Sequence, residues 1–241
     1  MLASDARLPL YQRLRNDLAE RISRKEWRVG QSIPPEGQLA QDWGVAIGTV
    51  RKAVDLLAAD GVLERLQGRG TFVRSPRFDA SMFRFFRFQT IEGARTVPVS
   101  HILERRVEPA SSAIAAALQL REGAQVIYLS RLRLIQGVPV LCEDIWLPKQ
   151  KFLPLIHLDV ASFGDLLYPL YETHCGAVVA RARETLTVET SDAAVAAHLQ
   201  LQPGAPLIRI ERLAMDIAQN PLEWRTSRGP ADKFRYHAEI S

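Results

Sequence analysis

The chain has few cysteines and no long apolar run. Cys142 and Cys175 are its only cysteines, and they do not form a CxxC pair. Two cysteines fit a reducing compartment better than a disulfide framework, so we expect a cytoplasmic protein. No segment approaches the roughly 18 apolar residues that a membrane-spanning helix needs. The first residues include Asp5 and Arg7 and lack an apolar stretch, so we also expect no signal peptide.

The motifs of common catalytic and metal sites are also missing. The sequence has no GxSxG, P-loop or GxGxxG segment. Its five histidines are scattered without HxH or HxxxH spacing, and Cys175 beside His174 fits no nucleophile motif. We therefore predict no catalytic residues, no metal site, no cofactor and no enzymatic activity.

Positive charge is concentrated in the N-terminal third. Residues 1–90 carry 15 Lys and Arg against 10 Asp and Glu, whereas the remaining residues carry 16 against 17. Such an excess is typical of a surface that meets a polyanion, although a soluble surface can carry the same charge. The length of 241 residues favours two domains.

The apolar pattern of the N-terminal region predicts three helices. An amphipathic first helix is indicated over residues 10–25 by apolar side chains at every fourth position, namely Leu10, Leu14, Leu18 and Ile22. A second helix from about residue 35 and a third over residues 48–59 are separated only by the turn 44–46. Two helices joined by so short a turn match the helix-turn-helix outline.

A basic hairpin is predicted directly after the third helix. Val62–Leu66 and Thr71–Val73 are typical of short strands, and they flank the glycine-containing tip Gln67–Gly70. Glycine at the tip permits positive φ and close approach to another backbone. The hairpin is therefore predicted to be a wing that lies along a groove or a phosphate strand.

Residues 9–74 resemble the GntR family of bacterial regulators. The runs that carry the resemblance are Pro9–Tyr11, Ile33–Ala40, Thr49–Val54 and Leu63–Val73. The resemblance implies a winged helix-turn-helix domain that binds double-stranded operator DNA.

The resemblance also places the DNA-binding residues. A recognition helix puts its N-terminal side chains against base edges in the major groove. Thr49 and Arg51 would therefore contact bases or phosphates, and Lys52 would reach phosphate. Gly68 and Arg69 of the wing would approach the duplex. The alternative for Arg51 is an ordinary surface charge.

Three positions depart from the family pattern. Family members commonly carry arginine after the Pro-x-Glu motif, where this chain has Gly37, and Ser or Thr followed by Arg at the head of the recognition helix, where it has Ala46 and Ile47. We expect an unusual operator or weaker binding that depends on the wing. Ile47 or Ala46 would touch a thymine methyl group in the major groove. The alternative is that Ile47 packs on the second helix.

An internal repeat fills much of the remaining chain. Leu118-Gln119-Leu120 recurs as Leu199-Gln200-Leu201, an offset of 81 residues that slips to 82 further along. Each copy predicts a helix, a glycine-containing turn, a long strand, a turn and a second strand. Hairpin-joined strands favour an antiparallel sheet with helices to one side, an α+β arrangement. The predicted N-caps are Ser111 in the first copy and Ser191 or Asp192 in the second. Chance similarity of two generic units is the alternative to duplication.

Residues 91–241 resemble the UTRA effector domain of the HutC-type branch of the same family. The runs and residues that carry this resemblance are Ser130–Leu134, Gly137–Val140, Glu143, Leu147-Pro148, Pro221–Ser227 and Asp232–Tyr236. The resemblance implies a domain that binds a small metabolite and dimerises, on a fold shared with chorismate lyase enzymes.

Two arginines are the main candidates for effector binding. Arg131 and Arg133 stand two apart in a strand, so both side chains lie on one face, where they would bind a carboxylate or a phosphate. The family resemblance adds as companions Glu143, Ser162, Glu223 and Tyr236. The alternative is a solvated strand face whose arginines pair with Glu143 or Glu211. Arg181 and Arg183 repeat the same spacing and form a weaker second candidate.

The sequence as a whole predicts an α+β protein. Residues 1–75 would form the winged helix-turn-helix domain, 76–90 a linker and 91–241 the effector-binding and dimerisation domain. The predicted function is that of a cytoplasmic, metabolite-responsive repressor that binds a palindromic operator as a homodimer, away from any membrane. The alternatives are a lyase-like enzyme fused to a DNA-binding module and an architectural DNA binder with a vestigial sensor.

Overall fold

The computed structural model of the chain describes residues 8–74 and 98–234. These residues form two compact units, one within the N-terminal 77 residues and one in most of the remainder. The predicted linker 76–90 and Tyr236 lie outside the described residues. No helix in the described ranges has the length and hydropathy of a membrane span.

The first unit contains the three predicted helices and the hairpin. Its elements are α1 (Leu10–Ser23), α2 (Glu36–Trp43), α3 (Ile47–Ala59), β1 (Leu63–Leu66) and β2 (Gly70–Val73). Leu14 and Leu18 of α1 are fully buried, as the predicted stripe requires, whereas Leu10 at the start of the helix is exposed. Gly44 ends α2 in the left-handed conformation at φ 64°, where glycine has no Cβ to clash, and this permits the tight turn into α3.

The hairpin is fixed to the rest of the unit by backbone hydrogen bonds. β1 and β2 pair antiparallel from Leu63 opposite Val73 to Leu66 opposite Gly70. On the other side of β2, Gly30 N donates to Val73 O and Ile33 N donates to Thr71 O. The segment before α2 therefore supports the wing as a partial third strand.

The second unit contains one six-stranded sheet with short helices. Its strands are β3 (Val99–Pro109), β4 (Gln125–Ile135), β5 (Val138–Pro148), β6 (Arg181–Thr190), β7 (Pro206–Met215) and β8 (Pro221–Pro230). Its α-helices are α4 (Ser112–Ala117), α5 (Pro154–His157), α6 (Leu167–Cys175) and α7 (Ala193–Leu199). Short 3-10 helices cover Val160–Phe163 and Ala231–Lys233.

The sheet joins the two sequence repeats at its centre. Its strand order is β3-β4-β5-β8-β7-β6, with antiparallel pairing throughout. Each repeat contributes a strand, a helix and a hairpin, and the first of these strands was not recognised in the repeated motif. Asp144 and Thr226 occupy equivalent positions in the two repeats and pair directly with each other between β5 and β8. The second unit is therefore built with approximate two-fold symmetry.

Both faces of the sheet are covered, which corrects the expectation of helices to one side. On one face, α5 and α6 pack through Leu155, Leu170 and Tyr171 against Ile127 and Leu129 of β4. We call this the arginine face, because side chains two residues apart on a strand lie on the same face, and Arg131 is two residues beyond Leu129. The opposite face is covered by α4 and α7, which pack against the buried residues Val126, Leu213, Cys142 and Leu207. Helices on two faces arise because α5 and α6 connect the repeats, whereas α4 and α7 belong to them.

The helices α4 and α7 begin at two of the predicted caps. Ser111 Oγ accepts a hydrogen bond from Ile114 N at 3.4 Å, and Asp192 Oδ1 accepts one from Val195 N at 2.8 Å. Ser191 is not the cap of α7, since its hydroxyl donates to Gln202 O instead. The two caps satisfy backbone donors at equivalent points of the two repeats.

Candidate functional sites

Glu36 connects three elements of the first unit. It is the first residue of α2, where its carboxylate accepts from Arg51 Nε of α3 at 3.0 Å and from Arg65 Nη2 of β1 at 2.7 Å. Arg65 also pairs with Asp55 of α3 at 2.8 Å. A single carboxylate thus orients the predicted base-contacting arginine and ties it to the wing.

The predicted recognition residues lie at the start of α3. Arg51 is exposed over 59% of its side chain although it is paired with Glu36, so it can rearrange toward DNA. Thr49 is half-buried and Lys52 is exposed, with Lys52 Nζ 4.0 Å from the centre of the Tyr11 ring. Ile47 is 48% exposed, so its packing on the second helix is at most partial and much of its side chain faces outward.

The wing presents the other two predicted DNA contacts. Gly68 adopts φ 72° at the hairpin tip, a conformation that favours glycine. Arg69 is exposed next to it, with its guanidinium 5.9 Å from the centre of the Phe72 ring. The tip therefore combines a bare backbone with one cation, as contact with a phosphate strand requires.

Two glycines in this region, at positions 37 and 48, have room for a side chain. A Cβ atom added at Gly37 or at Gly48 would have no atom within 4 Å. Glycine at these two positions is therefore not imposed by packing within the unit.

A buried ion pair dominates the arginine face of the sheet. Arg131 of β4 and Glu143 of β5 stand opposite each other, and Arg131 Nε donates to Glu143 Oε2 at 2.6 Å. Only 1% of the Arg131 side chain and 2% of the Glu143 side chain are exposed. The alternative of a solvated strand face is therefore wrong. The pairing with Glu143 that it contained is present, while Glu211 accepts instead from Arg209 at 2.5 Å.

The strand β8 extends this pair into a network. Arg225 Nη1 donates to Glu143 Oε1 at 3.2 Å, and Ser227 Oγ donates to the same oxygen at 3.1 Å. Arg225 Nη2 also donates to Glu223 Oε2 at 2.7 Å, which in turn accepts from Tyr171 Oη of α6 at 2.6 Å. The structure thus brings together three of the predicted residues, Arg131, Glu143 and Glu223.

Arg133 lies next to this network. Its Nη1 donates to Asp165 O and its Nη2 to Pro98 O, both at 3.0 Å. Burial, together with the neighbouring charge of Arg131, lowers the pKa of Arg133 to about 10. The guanidinium therefore keeps its charge at neutral pH, and both of these hydrogen bonds go to carbonyl oxygens.

The carboxylate of Glu143 is strongly held in its ionised form. Burial alone would raise its pKa, but the charges of Arg131, Arg225 and Arg133 outweigh burial and hold the pKa well below its usual range. Burial alone would likewise lower the pKa of Arg225, but the carboxylates of Glu223 and Glu143 raise it well above its ordinary value. Glu143 and Arg225 therefore carry fixed charges at neutral pH.

Several buried polar groups of the arginine face lack a hydrogen-bond partner within the described part of the chain. Two of them are Arg131 Nη1 and Ser100 Oγ. Ser100 of β3 stands opposite Arg133, one strand away from Arg131, so both groups lie at the same edge of the network. Buried donors without partners are costly, and their presence marks where a polar ligand would be accepted.

The other predicted effector residues lie apart from this network. Ser162 is exposed in the 3-10 helix Val160–Phe163, whose Phe163 packs in the core. Arg181 and Arg183 lie at the start of β6, on the outermost strand of the described sheet, and Arg183 is exposed. They do not share the buried surroundings of Arg131 and Arg133. In the described residues, His, Cys, Asp and Glu side chains form no group of three that could hold a metal ion.

Sequence reasoning missed several members of both sites. Arg225 and Ser227 follow Glu223 at a spacing of two, a strand signal that could have placed all three on one face. Glu36 entered the sequence analysis only as part of the run Ile33–Ala40. Tyr171 left no signal, because only the packing of α6 on the sheet brings its hydroxyl to Glu223.

A winged helix-turn-helix unit and a separate sheet unit with a buried polar network define a DNA-binding regulator with a ligand-sensing domain. Residues 10–73 match the family of bacterial regulatory proteins called gntR, and residues 94–235 match the UTRA domain. The chain belongs to the GntR family of transcription regulators, in its HutC-type branch with a UTRA domain.

Known proteins of the same kind resemble the chain over most of its length. It is 28% identical over 216 residues to the "Probable fructoselysine utilization operon transcriptional repressor" of Escherichia coli (strain K12), covering 88% of this chain and 87% of that protein. PhnF from Mycobacterium smegmatis is 25% identical, with a TM-score of 0.57 over 95% of this chain and 99% of PhnF. A ligand-binding domain from Bordetella bronchiseptica, assigned to a GntR-family regulator, is 30% identical, with a TM-score of 0.60 over 66% of this chain and 98% of that domain.

These comparisons confirm the predicted family, the α+β fold class and the function as a DNA-binding transcription regulator with an effector-binding domain.

Proposed function

We propose that the chain is a homodimeric cytoplasmic repressor that binds a palindromic operator and responds to a small anionic effector. Residues 1–75 would serve as the DNA-binding domain, 76–90 as the linker and 91–241 as the effector-binding and dimerisation domain. The protein acts through binding alone, without catalysis. The repressor named for fructoselysine utilization supports this reading.

The DNA-binding proposal rests on the head of α3 and the wing. Thr49, Arg51 and Ile47 contact base edges, while Lys52 and the wing tip at Gly68 and Arg69 contact the backbone. Arg51 is exposed and its ion pair with Glu36 can be exchanged for a guanine or a phosphate. The apolar side chain of Ile47, being half exposed, suits a thymine methyl group.

Operator selection tests the DNA-binding proposal. Sequences are selected from random duplex DNA with the purified chain and with its Arg51→Ala variant. A palindromic consensus is expected for the unsubstituted chain and a relaxed or lost consensus for the variant. Binding that depends only on salt, with no enriched sequence, contradicts sequence-specific recognition.

The buried donors of the network are the observation that supports an anionic effector. Arg131 and Arg225 are both buried, and both donate to the single carboxylate of Glu143. A buried cationic donor that lacks a partner is unfavourable until an acceptor satisfies it. Arg131 Nη1 and Ser100 Oγ supply donors at the edge of the network. A carboxylate or phosphate group of the effector binds there.

Effector binding would change the geometry of the two DNA-binding heads. A ligand shifts such an equilibrium only by its difference in affinity for the two arrangements. The ion pairs to Glu143 are the contacts that an incoming anion competes with, and they join β4, β5 and β8. By exchanging these ion pairs, a bound effector would change the contacts that hold the central strands of the sheet together.

A conservative substitution at Arg131 tests the effector site. Thermal unfolding of the unsubstituted chain is followed with a panel of sugar phosphates and carboxylates, with the uncharged parent sugars as controls. A ligand that binds the folded chain raises the unfolding temperature. We expect an anion to do so, and Arg131→Lys to weaken its binding by about tenfold or more, since hydrogen bonds to charged groups contribute about 1.5–3 kcal/mol.

The same variant separates effector binding from DNA binding. Lysine at position 131 can retain the ion pair with Glu143 but cannot present the second guanidinium nitrogen. Operator affinity without effector is therefore expected to stay unchanged in Arg131→Lys. Equal responses to charged and uncharged sugars, or an unaltered response in the variant, contradict the proposed site.

A further inference from the structure

The two repeats carry opposite charges at one equivalent position of the arginine face. Glu143 of β5 and Arg225 of β8 are related by the offset of 82 residues that holds in the later part of the repeat. In the first repeat Arg131 stands opposite Glu143, whereas in the second Arg212 stands opposite Arg225. Like charges directly opposite each other on paired strands are destabilising. The two arginines of the second repeat therefore need carboxylates from other positions.

Arg212 and Arg225 pair with different carboxylates. Arg212 Nε donates to Glu184 Oε1 of β6 at 2.7 Å. Arg225 contacts two carboxylates at once, since Nη1 donates to Glu143 at 3.2 Å and Nη2 donates to Glu223 at 2.7 Å. Only 6% of the Arg225 side chain is exposed. Arg225 is therefore a buried bridge between the acid of the first repeat and an acid of its own strand.

This bridge fills the last accepting position of Glu143. An ionised carboxylate has about four positions that accept hydrogen bonds. Glu143 Oε2 accepts from Arg131 Nε at 2.6 Å and lies 2.5 Å from Arg131 Nη2. Its Oε1 accepts from Arg225 Nη1 and from Ser227 Oγ. A ligand hydroxyl therefore has no acceptor on Glu143 while Arg225 is in place.

Glu223 is filled almost as completely. Its carboxylate accepts from the hydroxyls of Tyr168 and Tyr171 and from Arg225 Nη2, and the residue is fully buried. Three of about four accepting positions are occupied, one of them by Arg225. Arg225 thus removes one acceptor from each of the two carboxylates of the network.

The groups that remain open are chiefly donors. Within the described part of the chain, Arg131 Nη1 and Arg225 Nε are buried and have no hydrogen-bond partner. Guanidinium nitrogens donate and do not accept, whereas Ser100 Oγ can also accept from one ligand hydroxyl. Any further ligand hydroxyl would be buried without an acceptor for its proton, which is costly. A ligand that brings only acceptors avoids this cost.

We propose that Arg225 is a specificity-determining residue of the effector site. By bridging Glu143 and Glu223 it selects an acid with few or no hydroxyl groups, such as an unsubstituted dicarboxylate or an alkyl phosphate, over sugar acids and sugar phosphates. This proposal rests on the anionic effector proposed above and narrows its chemical class.

Pairs of acids that differ only in their hydroxyl groups test the selection. Adipate is compared with galactarate, and hexyl phosphate with sorbitol phosphate, by isothermal titration calorimetry of the unsubstituted chain. The members without hydroxyls are expected to bind about tenfold more tightly or better, because buried hydroxyls without acceptors are unfavourable. Equal or tighter binding of galactarate and sorbitol phosphate overturns this proposal and leaves the anionic effector standing. Absence of binding by all four acids overturns both.

Arg225→Ser tests whether Arg225 itself makes the selection. The substitution frees one acceptor on Glu143 and one on Glu223, so ligand hydroxyls can donate to them. The preference within each pair is expected to fall by about tenfold. The ratio of the two dissociation constants is the readout, because a general loss of positive charge or of stability weakens both members of a pair together.

Arg228→Ser is the matched control. Arg228 also lies on β8 and pairs with two carboxylates, those of Asp144 and Glu189, at 2.7 and 2.8 Å. Because it is three residues beyond Arg225, its side chain lies on the opposite face of the strand. Its loss should leave the ratio within each pair unchanged.

Arg225→Lys is the second variant, for the case that serine prevents folding. Lysine keeps the positive charge, but an ammonium lacks the planar fork that holds two carboxylates at once. The ratio is expected to fall in the same direction as in Arg225→Ser. Circular dichroism shows which variants are folded. An unchanged ratio in a folded Arg225 variant, or an equal fall in Arg228→Ser, overturns the assigned role of Arg225.

Discussion

At the scale of single residues, the burial of Glu143 among arginines is the feature with the largest expected effect on stability. Three guanidiniums and the hydroxyl of Ser227 surround one carboxylate that is only 2% exposed. Breaking a buried ion pair costs far more than breaking a surface pair, because the remaining charges stay buried without compensation. The stability of the second unit should therefore depend on this one side chain.

Glu143→Gln is expected to lower the free energy of unfolding by about 3 kcal/mol at pH 7, measured by urea denaturation. Glu104→Gln is the control, since Glu104 pairs with Arg106 on the exposed strand β3 and its loss should change stability little. A loss in Glu143→Gln no larger than in Glu104→Gln contradicts the assigned role.

The cost of Glu143→Gln should also depend on pH. The pKa of Glu143 is held below its ordinary value of 4.5 in the folded chain, so the unfolded chain takes up the proton first as pH falls. The stabilisation is therefore complete above the ordinary pKa and declines progressively below it. The difference between the unsubstituted chain and Glu143→Gln should shrink between pH 5 and pH 3, within about the window that this linkage sets.

At position 37 the chain has glycine where members of its family commonly have arginine. Because a side chain there meets no atom within 4 Å of its Cβ, Gly37→Arg should be accommodated at the start of α2. We expect tighter binding to duplex DNA, with the slope of log K against log salt concentration steeper by about 0.9, as for one added phosphate contact. Gly37→Ala is the control without charge, and an unchanged slope in Gly37→Arg would show that position 37 does not face the DNA.

At the scale of elements, the helices α4 and α7 occupy equivalent positions in the two repeats, but their N-caps differ in hydrogen-bond length and in charge. The Asp192 cap of α7 forms a 2.8 Å hydrogen bond and carries a charge that favours the helix N-terminus, whereas the Ser111 cap of α4 forms a 3.4 Å bond. The carboxylate should stabilise its helix more strongly than the hydroxyl.

Asp192→Ala is expected to lower stability by about 1 kcal/mol, and Ser111→Ala by distinctly less. Urea denaturation of both variants measures the difference. Asp192→Asn should retain most of the stability, since asparagine caps helices as well as aspartate. Equal losses at the two positions would show that cap geometry does not set the contribution.

At the scale of the whole molecule, the proposed dimer makes operator spacing a geometric requirement. Two heads carried by one dimer read half-sites on the same side of the duplex, separated by whole helical turns. Inserting about 5 base pairs between the half-sites turns one of them to the far side of the duplex.

This insertion is expected to reduce the affinity for a selected operator by about tenfold or more, to a level near that of a single half-site. Gel-shift titrations against the unmodified operator and a half-site duplex measure the change. Affinity that is indifferent to the insertion argues for independent heads joined by a long flexible connection.

The sequence by itself determined the family, the elements of the first unit and the helix and hairpin of each repeat. The helices of the first unit, the wing and both repeated hairpins follow from local patterns, because helix and strand periods are written into the spacing of apolar residues. The pairing of Arg131 with Glu143 was predicted only as part of the solvated-face alternative, and its burial was not predicted. Alternation along a strand does not show whether a face is exposed to solvent or covered.

Tertiary structure decided which residues meet. The central pairing of β5 with β8 brings Arg225 and Ser227 to Glu143, although more than eighty residues of chain separate them. The packing of α6 brings Tyr171 to Glu223, and the same helix makes the arginine face a buried one. Contacts between distant segments depend on how strands are ordered and faces are covered, and no local pattern in the sequence records either.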